Sequence, residues 1–181
     1  MRGKFLAMEG RIMADKYDLL LKNGIIVDPV NNREGIADIG VAGEKIAAVA
    51  PELSPVSARE VINVSNCFVL PGIIDTHTHI SAWIGGRYGH KMMAQVGVTT
   101  ALDMAGPVDS VLEVARDYGV GLNVACLEYV RPGYTVRDAE PSESELADLI
   151  ASAMRRGAIG IKILGGHYPL TPDATARAIE V

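Results

Sequence analysis

The segment Asp75-Thr76-His77-Thr78-His79 carries the residue types with the most chemistry to offer. On a strand, alternate side chains share a face, so Asp75, His77 and His79 would point the same way. Two imidazoles two residues apart on one face can grip a single metal ion. Zinc takes neutral imidazole nitrogen at about 2.0–2.1 Å. A histidine pair on a strand also serves packing or simply faces solvent. This pair gains weight from its place, after Pro71-Gly72 on the first strand of a strand–helix series. Parallel barrels carry their active sites at the C-terminal ends of their strands.

The second chemical candidate is Lys162, within Ile159-Gly160-Ile161-Lys162-Ile163-Leu164. Ile159, Ile161 and Ile163 share one face, suited to packing under helices. Lys162 falls on the other face, with Gly160 and Leu164, and that face would look into a barrel. A lysine turned inward in an apolar strand is costly unless it is paired or neutral. A neutral amine can take up carbon dioxide as a carbamate, an anion whose two oxygens can bridge two metal ions. The alternative is a lysine that reaches the barrel mouth along its apolar stem and pairs with an acid there. His167 and Tyr168, after Gly165-Gly166, fall in the following loop, either against substrate or in solvent.

The elements needed to position these residues are legible in two textures. Residues 17–70 read as short strands and turns, a small β-sandwich-like domain. Asp18 to Leu21 and Ile25 to Val27 flank Lys22-Asn23-Gly24, a hairpin signal because Asn-Gly tolerates positive φ. Ala37 to Val41 and Ile46 to Ala50 form a second hairpin around Gly43-Glu44-Lys45. Val61 to Val64 and Cys67 to Leu70 form a third pair around Ser65-Asn66. Residues 71–181 alternate strand and helix, the pattern of βα units on a parallel sheet. The strands are predicted at Ile73–His79, Thr99–Met104, Leu122–Val130 and Ala158–Leu164. Helices are predicted at Tyr88–Val96, Val108–Tyr118 and Ser142–Arg156, with another opening at Thr171-Pro172. Ser142 with Glu145 three residues on is a capping-box pattern, and Pro172 suits a first helical turn. That makes about four βα units, where a closed barrel takes about eight. The fold class is therefore α/β: a small β-domain, then the first half of a (β/α)₈ barrel.

Composition bounds the function classes. Of 181 residues, 49% are hydrophobic and 22% charged, which is globular rather than disordered. The net charge of −5 provides no basic footprint for nucleic acid or an anionic membrane. No apolar run is long enough to span a bilayer, and Glu9 and Arg11 interrupt any signal-peptide core, so a cytoplasmic location is expected. Residues before Met13 show no clean period, and residues 1–16 read as a flexible extension or a misassigned start. Cys67 and Cys126 lie in apolar stretches and read as free buried thiols rather than a disulfide.

Leu70-Pro71-Gly72-Ile73-Ile74-Asp75-Thr76-His77-Thr78-His79 resembles the metal-binding motif of the amidohydrolase superfamily, in which a small β-sandwich leads into a metal-binding (β/α)₈ barrel. Gly160-Ile161-Lys162 resembles the carboxylated-lysine site of its hydantoinase, dihydroorotase and related deacetylase branches. The resemblance implies His77, His79 and carboxylated Lys162 as ligands to zinc or another divalent metal, one or two ions in the intact enzyme. Asp75 would orient the site as a hydrogen-bond acceptor rather than bind metal. Glu128 is the rival of Lys162, since some members use an acid from the third strand as bridge. Dihydroorotases carry an arginine two residues after the second histidine, where Ser81 stands here, which argues against that activity. Lys162 argues against the mononuclear deaminase branch.

The implied reaction is metal-assisted hydrolysis of a carbon–nitrogen bond in a small amide or cyclic amide. The family's later metal histidines and its catalytic aspartate have no counterpart in the sequence, and neither His90, in a helical pattern, nor His167 stands in by position. The 181 residues alone are accordingly expected to lack turnover. The rival reading is a non-catalytic chain or half-barrel that must associate, with a copy of itself or with a missing C-terminal half, to act.

Overall fold

The computed structural model describes residues 16–104, 106–119 and 121–181. Of the leading segment expected to be a flexible extension, all but Lys16 lies outside the described residues. The chain divides between Pro71 and Gly72 into two compact units.

The first unit is one mixed sheet of five strands: β1 (Tyr17–Asp28), β2 (Arg33–Ala42), β3 (Lys45–Ala50), β4 (Ala58–Asn63) and β5 (Phe68–Val69). Their order is β3-β2-β1-β4, with β5 also on β1. The described residues thus carry a single layer of the expected sandwich. The β2–β3 hairpin forms as predicted, turning through Gly43 at φ 59°. The predicted hairpin at Asn23-Gly24 does not form, because β1 runs straight through it, paired on both sides. Leu21 faces Ile39 and Gly24 faces Ala37, so Lys22 and Asn23 together oppose Asp38 alone. This is a β-bulge, and the positive φ of Asn23 (64°) absorbs the extra residue instead of reversing the chain. Asp38 fills the gap opposite. It is 1% exposed, pairs with the Lys22 ammonium, and accepts from the N–H groups of Asn23 and Leu53 at 2.8 Å each.

The predicted pair around Ser65-Asn66 is also corrected. β4 and β5 do not pair with each other; both run parallel to β1, Tyr17–Lys22 against Ala58–Asn63 and Ile25–Ile26 against Phe68–Val69. Between them the chain steps past the bulge, with Val64 N–H donating to Lys22 O and Ile25 N–H to Cys67 O, both 2.9 Å. A side chain at Gly24 would lie 2.7 Å from Val69 Cγ2, so the step requires glycine there.

The second unit alternates strand and helix: β6 (Ile73–Thr78), α1 (Gly86–Gln95), β7 (Val98–Asp103), α2 (Val108–Tyr118), β8 (Asn123–Cys126), β9 (Glu128–Val130), α3 (Glu143–Arg156), β10 (Ile161–Ile163) and α4 (Pro172–Glu180). β6, β7 and β8 are parallel neighbours, as are β9 and β10. The single strand expected over Leu122–Val130 is broken at Leu127, whose N–H turns to Asp103 O at 2.9 Å while Glu128 N–H bonds Gly160 O at 3.0 Å. The break hands the chain from one neighbour to the next, so pairing continues from β7 through to β10.

Helices cover one face of these strands. Leu146, Leu149 and Ala153 recur at helical spacing on α3 and pack with Val130, Val136, Leu170, Ala174 and Ala178 or with the Val108–Val111–Cys126–Ala158 cluster. Burying each leucine stabilises by about 1.5–3 kcal/mol. Ser142 Oγ caps α3 by accepting from Glu145 N–H at 3.2 Å, and Gly157 ends it in the left-handed region. The reciprocal half of the capping box is not made, since Glu145 Oε1 accepts from Arg137 N–H at 2.6 Å instead. Thr171 caps α4 through Ala174 N–H at 3.1 Å. A half-buried ion pair joins α3 to β9: Arg156 donates to the buried Glu128 at 3.0 Å and to the exposed Asp109 at 2.7 Å.

Both cysteines are free, but Cys67 is exposed rather than buried, because β5 leaves it on an open edge. Burial, assisted by the Asp103 and Glu128 carboxylates, pushes the Cys126 thiol up to about 11. Only the thiolate is nucleophilic. A thiol reagent at about pH 8 should therefore modify Cys67 quickly and Cys126 only after unfolding; rapid modification of both in the folded protein would contradict the packing described here.

Asp38→Ala strips two N–H groups of their acceptor and leaves the Lys22 ammonium only the Leu53 carbonyl at 3.0 Å, and breaking a buried pair in this way costs roughly 3–5 kcal/mol. Burial alone would raise the Asp38 carboxyl. The Lys22 ammonium and the amides of Asn23 and Leu53 outweigh it and hold the group below its ordinary value of 3.8. A depressed native pKa gives stabilisation that is complete above the unfolded value and lost as pH falls through the native one. Urea denaturation should show the Asp38→Ala penalty in full at pH 7 and a smaller one at about pH 3, below the ordinary carboxylate range. An equal penalty at both would show that the pair does not stabilise the sheet as an ion pair.

Candidate metal centre

His77 lies in β6 and His79 just past its end, at the C-terminal edge of the parallel sheet. Thr78 between them is buried and donates to Leu102 O at 3.1 Å, so the flanking histidines face the opposite way. Their rings meet edge to face with centroids 5.4 Å apart, and both residues are exposed. Neither imidazole has a hydrogen-bond partner among the described residues. Strand alternation thus sets His77 and His79 on one face, as their spacing implies.

A carboxylate at the end of the neighbouring strand fixes the turn beyond His79. Asp103, fully buried at the end of β7, accepts from Ile80 N–H at 2.5 Å and Gly106 N–H at 2.8 Å. Ser81 O then accepts from the N–H groups of Ile84, Gly85 and Gly86, which turns the chain into α1. The signal available in the sequence was an acid ending an apolar strand; Gly106 is three residues on, but Ile80, the partner that matters for His79, is 23 residues away.

Asp75, on the same strand, uses Oδ1 to accept from the His77 main-chain N–H at 3.1 Å. It touches the backbone of the motif and no imidazole.

Lys162 pairs in register with Tyr129. Its neighbours Ile161 and Ile163 pack on the α3–α4 cluster, so Lys162 faces away from the helices, as its spacing required. Its amine makes no ion pair among the described residues. Lys162 stands on β10, and the histidine pair on β6, at the far end of the strand series. Glu128 pairs with Ile161 in register and turns toward the helices, where it is 1% exposed and bonded to Arg156, Val108 N–H (3.3 Å) and Tyr129 N–H (3.1 Å). Its oxygens are already occupied.

His90 is buried in α1 with Nε2 3.2 Å from Ile80 O, a packing role. His167 and Tyr168 lie in the loop after β10, with rings 6.5 Å apart. The Tyr168 ring packs on the Arg131 guanidinium, 4.1 Å away. Arg131 had no signal in the sequence, being one arginine among many in a loop.

As a metal site, the donor set fits in part. The two unpartnered imidazoles form one adjacent pair of ligands. No group of three His, Cys, Asp or Glu residues able to hold a metal occurs among the described residues, and lysine lies outside that set.

Comparison with known proteins supports the same segment. The model of the amidohydrolase family matches residues 68–180. The allantoinase of Escherichia coli (strain K12) is 39% identical over 93 residues, which is 49% of this chain and 20% of that protein. Among solved structures, a D-aminoacylase described with a binuclear metal centre is similar with a TM-score of 0.68 and 25% identity, over 90% of this chain and 42% of that one. The L-hydantoinase of Arthrobacter aurescens shares the fold, with a TM-score of 0.62 and 24% identity, over 90% of this chain and 37% of that one. The chain thus spans about a fifth of the length of its curated relatives. Helix-backed parallel strands, the histidine pair at their C-terminal edge and the matched family model together identify the chain as a member of the amidohydrolase family.

Proposed function

We propose that these residues serve the hydrolysis of a carbon–nitrogen bond in a small amide or cyclic amide, with zinc or another divalent metal as cofactor. The observation that carries this reading is the His77–His79 pair, two unpartnered imidazoles at the C-terminal edge of the first parallel strand. The proposed ligands are His77, His79 and Lys162 as its carbamate, with Asp75 steadying the backbone of the motif. One ion or two would supply Lewis-acid polarisation of the carbonyl and a water acidic enough to attack near neutral pH. The overall reaction adds water across the carbon–nitrogen bond and gives a carboxylate and an amine. Asp103, by holding the turn after His79, keeps that ligand at a fixed height above the sheet. His167 and Tyr168, in the loop after β10, are the proposed contacts to substrate. The domain division is read as residues 17–70 and 71–181, with the chemistry in the second.

Support for a metal comes also from the relatives. The D-aminoacylase is described with a binuclear centre, and an N-acyl-D-glutamate deacylase of Bordetella bronchiseptica, which shares the fold, is described in complex with zinc. No helix among the described residues is long and apolar enough to cross a membrane, and the reading adopts a cytoplasmic enzyme.

A second reading is favoured by the sheet edges. Among the described strands β6 pairs only with β7, and β10 only with β9, which leaves each with an open side. Such edges invite pairing. On that reading a further segment, or a second chain, completes the barrel before catalysis begins.

Calorimetric titration with zinc tests the ligand set. His77→Ala or His79→Ala should weaken binding at least ~10-fold, as expected for a lost ligand. Bicarbonate should tighten zinc binding by the native protein and leave Lys162→Ala unaffected. Glu128→Gln should lower stability and leave zinc affinity unchanged. Zinc affinity that survives His77→Ala, or falls with Glu128→Gln alone, would overturn the assignment. With a downstream segment supplied to complete the barrel, His77→Ala should also abolish amide hydrolysis.

A further inference from the structure

Arg131 is a chemically strong group near the strand ends that this mechanism does not use. It directly follows β9, and Tyr168 lies in the loop after β10, the neighbouring parallel strand. Both therefore sit beyond the C-terminal ends of the strands, the same edge at which His79 leaves β6. The guanidinium lies 4.1 Å from the Tyr168 ring centroid and 5.4 Å from that of Tyr134. Tyr134 in turn touches Tyr129, at 5.8 Å, and Trp83, at 6.5 Å.

The backbone beneath is fixed. Arg131 N–H donates to Thr135 Oγ1 at 2.7 Å, and Thr135 Oγ1 donates to Tyr129 O at 2.8 Å. Arg131 O accepts from the N–H groups of Tyr134, Thr135 and Val136 at 3.1, 2.9 and 3.2 Å. Yet the guanidinium has no carboxylate partner among the described residues, whereas Arg156 has two and Arg177 has one. Aromatic faces satisfy the flat side of a guanidinium and leave its edge of N–H donors for polar partners; within the fold that edge meets the Tyr129 hydroxyl, an uncharged neighbour. That edge matches a carboxylate in paired hydrogen bonds.

We propose that Arg131, held between Tyr134 and Tyr168, is a specificity-determining residue that binds a carboxylate on the substrate, which makes the substrate class N-acyl amino acids or related amides bearing an acid. The inference rests on the amide-hydrolase reading for the identity of the substrate, and not on the metal.

Trp83 is the sole tryptophan of the chain and adjoins Tyr134, so its fluorescence reports on this cluster. The test titrates the metal-free 181-residue chain, in chelator, with N-acetylglycine and with its neutral counterpart N-acetylglycinamide. N-acetylglycine should perturb the emission and bind at least ~10-fold more tightly than the amide, as charged hydrogen bonds allow. Arg131→Gln should bring N-acetylglycine down to the level of the amide, and Arg131→Lys should retain part of the difference. The proposal is overturned if the native chain binds the two probes equally or binds neither. It is also overturned if a folded Arg131→Gln holds N-acetylglycine as tightly as the native chain does. The native comparison needs no variant, so a misfolded mutant cannot shield it. Because no metal is present, this outcome is independent of the zinc titration: lost zinc binding with this response intact fails the metal reading alone, and the converse fails this one.

Discussion

The Asp103 carboxylate accepts two main-chain N–H groups at the point where the chain leaves β6, and the geometry around the histidine pair depends on it. A buried carboxylate is expensive unless its oxygens are hydrogen-bonded, and charge-assisted bonds of this kind are among the stronger available. One of its bonds goes to Ile80, the residue after His79; another goes to Gly106, at the entry to α2. A single side chain at the end of β7 therefore ties together the loops that follow β6 and β7. Without it, the imidazole of His79 would ride on a free loop. Ligands placed on rigid elements are better preorganised than ligands on loops.

The same economy governs the outer face. Glu128 and Arg156 connect β9 to α3, with Asp109 on α2 as a second acceptor, so the pair ties one strand to two helices. Its cost is a carboxylate turned toward the helices, next to a buried thiol whose pKa it helps to raise. Its consequence for function is that Glu128 is used up structurally. On the opposite face of the same strands, Lys162 stands beside Tyr129 and makes no ion pair among the described residues, while Tyr129 itself is buried against Tyr134. Helix-facing positions carry the packing, and positions on the other face keep their chemistry available.

Much of this was legible in the sequence, for identifiable reasons. The period-two pattern placed His77 beside His79 and set Lys162 against its isoleucine neighbours, because strand alternation is local and strict. The caps at Ser142 and Thr171 were legible since both the capping side chain and its partner lie within one turn. What could not be read was non-local. Asn23-Gly24 carries the same positive-φ preference in a bulge as in a hairpin, and only the pairing of β1 on both sides decides between them. Ser65-Asn66 failed likewise, since β4 and β5 share a neighbour rather than each other. Arg131 gave no signal because the rings that make it distinctive, Tyr134 and Tyr168, come from two different loops.

The central claim is that β6 delivers His77 and His79 to one metal ion. X-ray absorption at the zinc edge of the zinc-loaded protein tests it most directly, because the outer-shell scattering of imidazole rings counts histidine ligands. The account predicts two imidazole nitrogens at about 2.0–2.1 Å, falling to one in His77→Ala. A zinc shell with no imidazole scattering, or one that His77→Ala leaves unchanged, would contradict it.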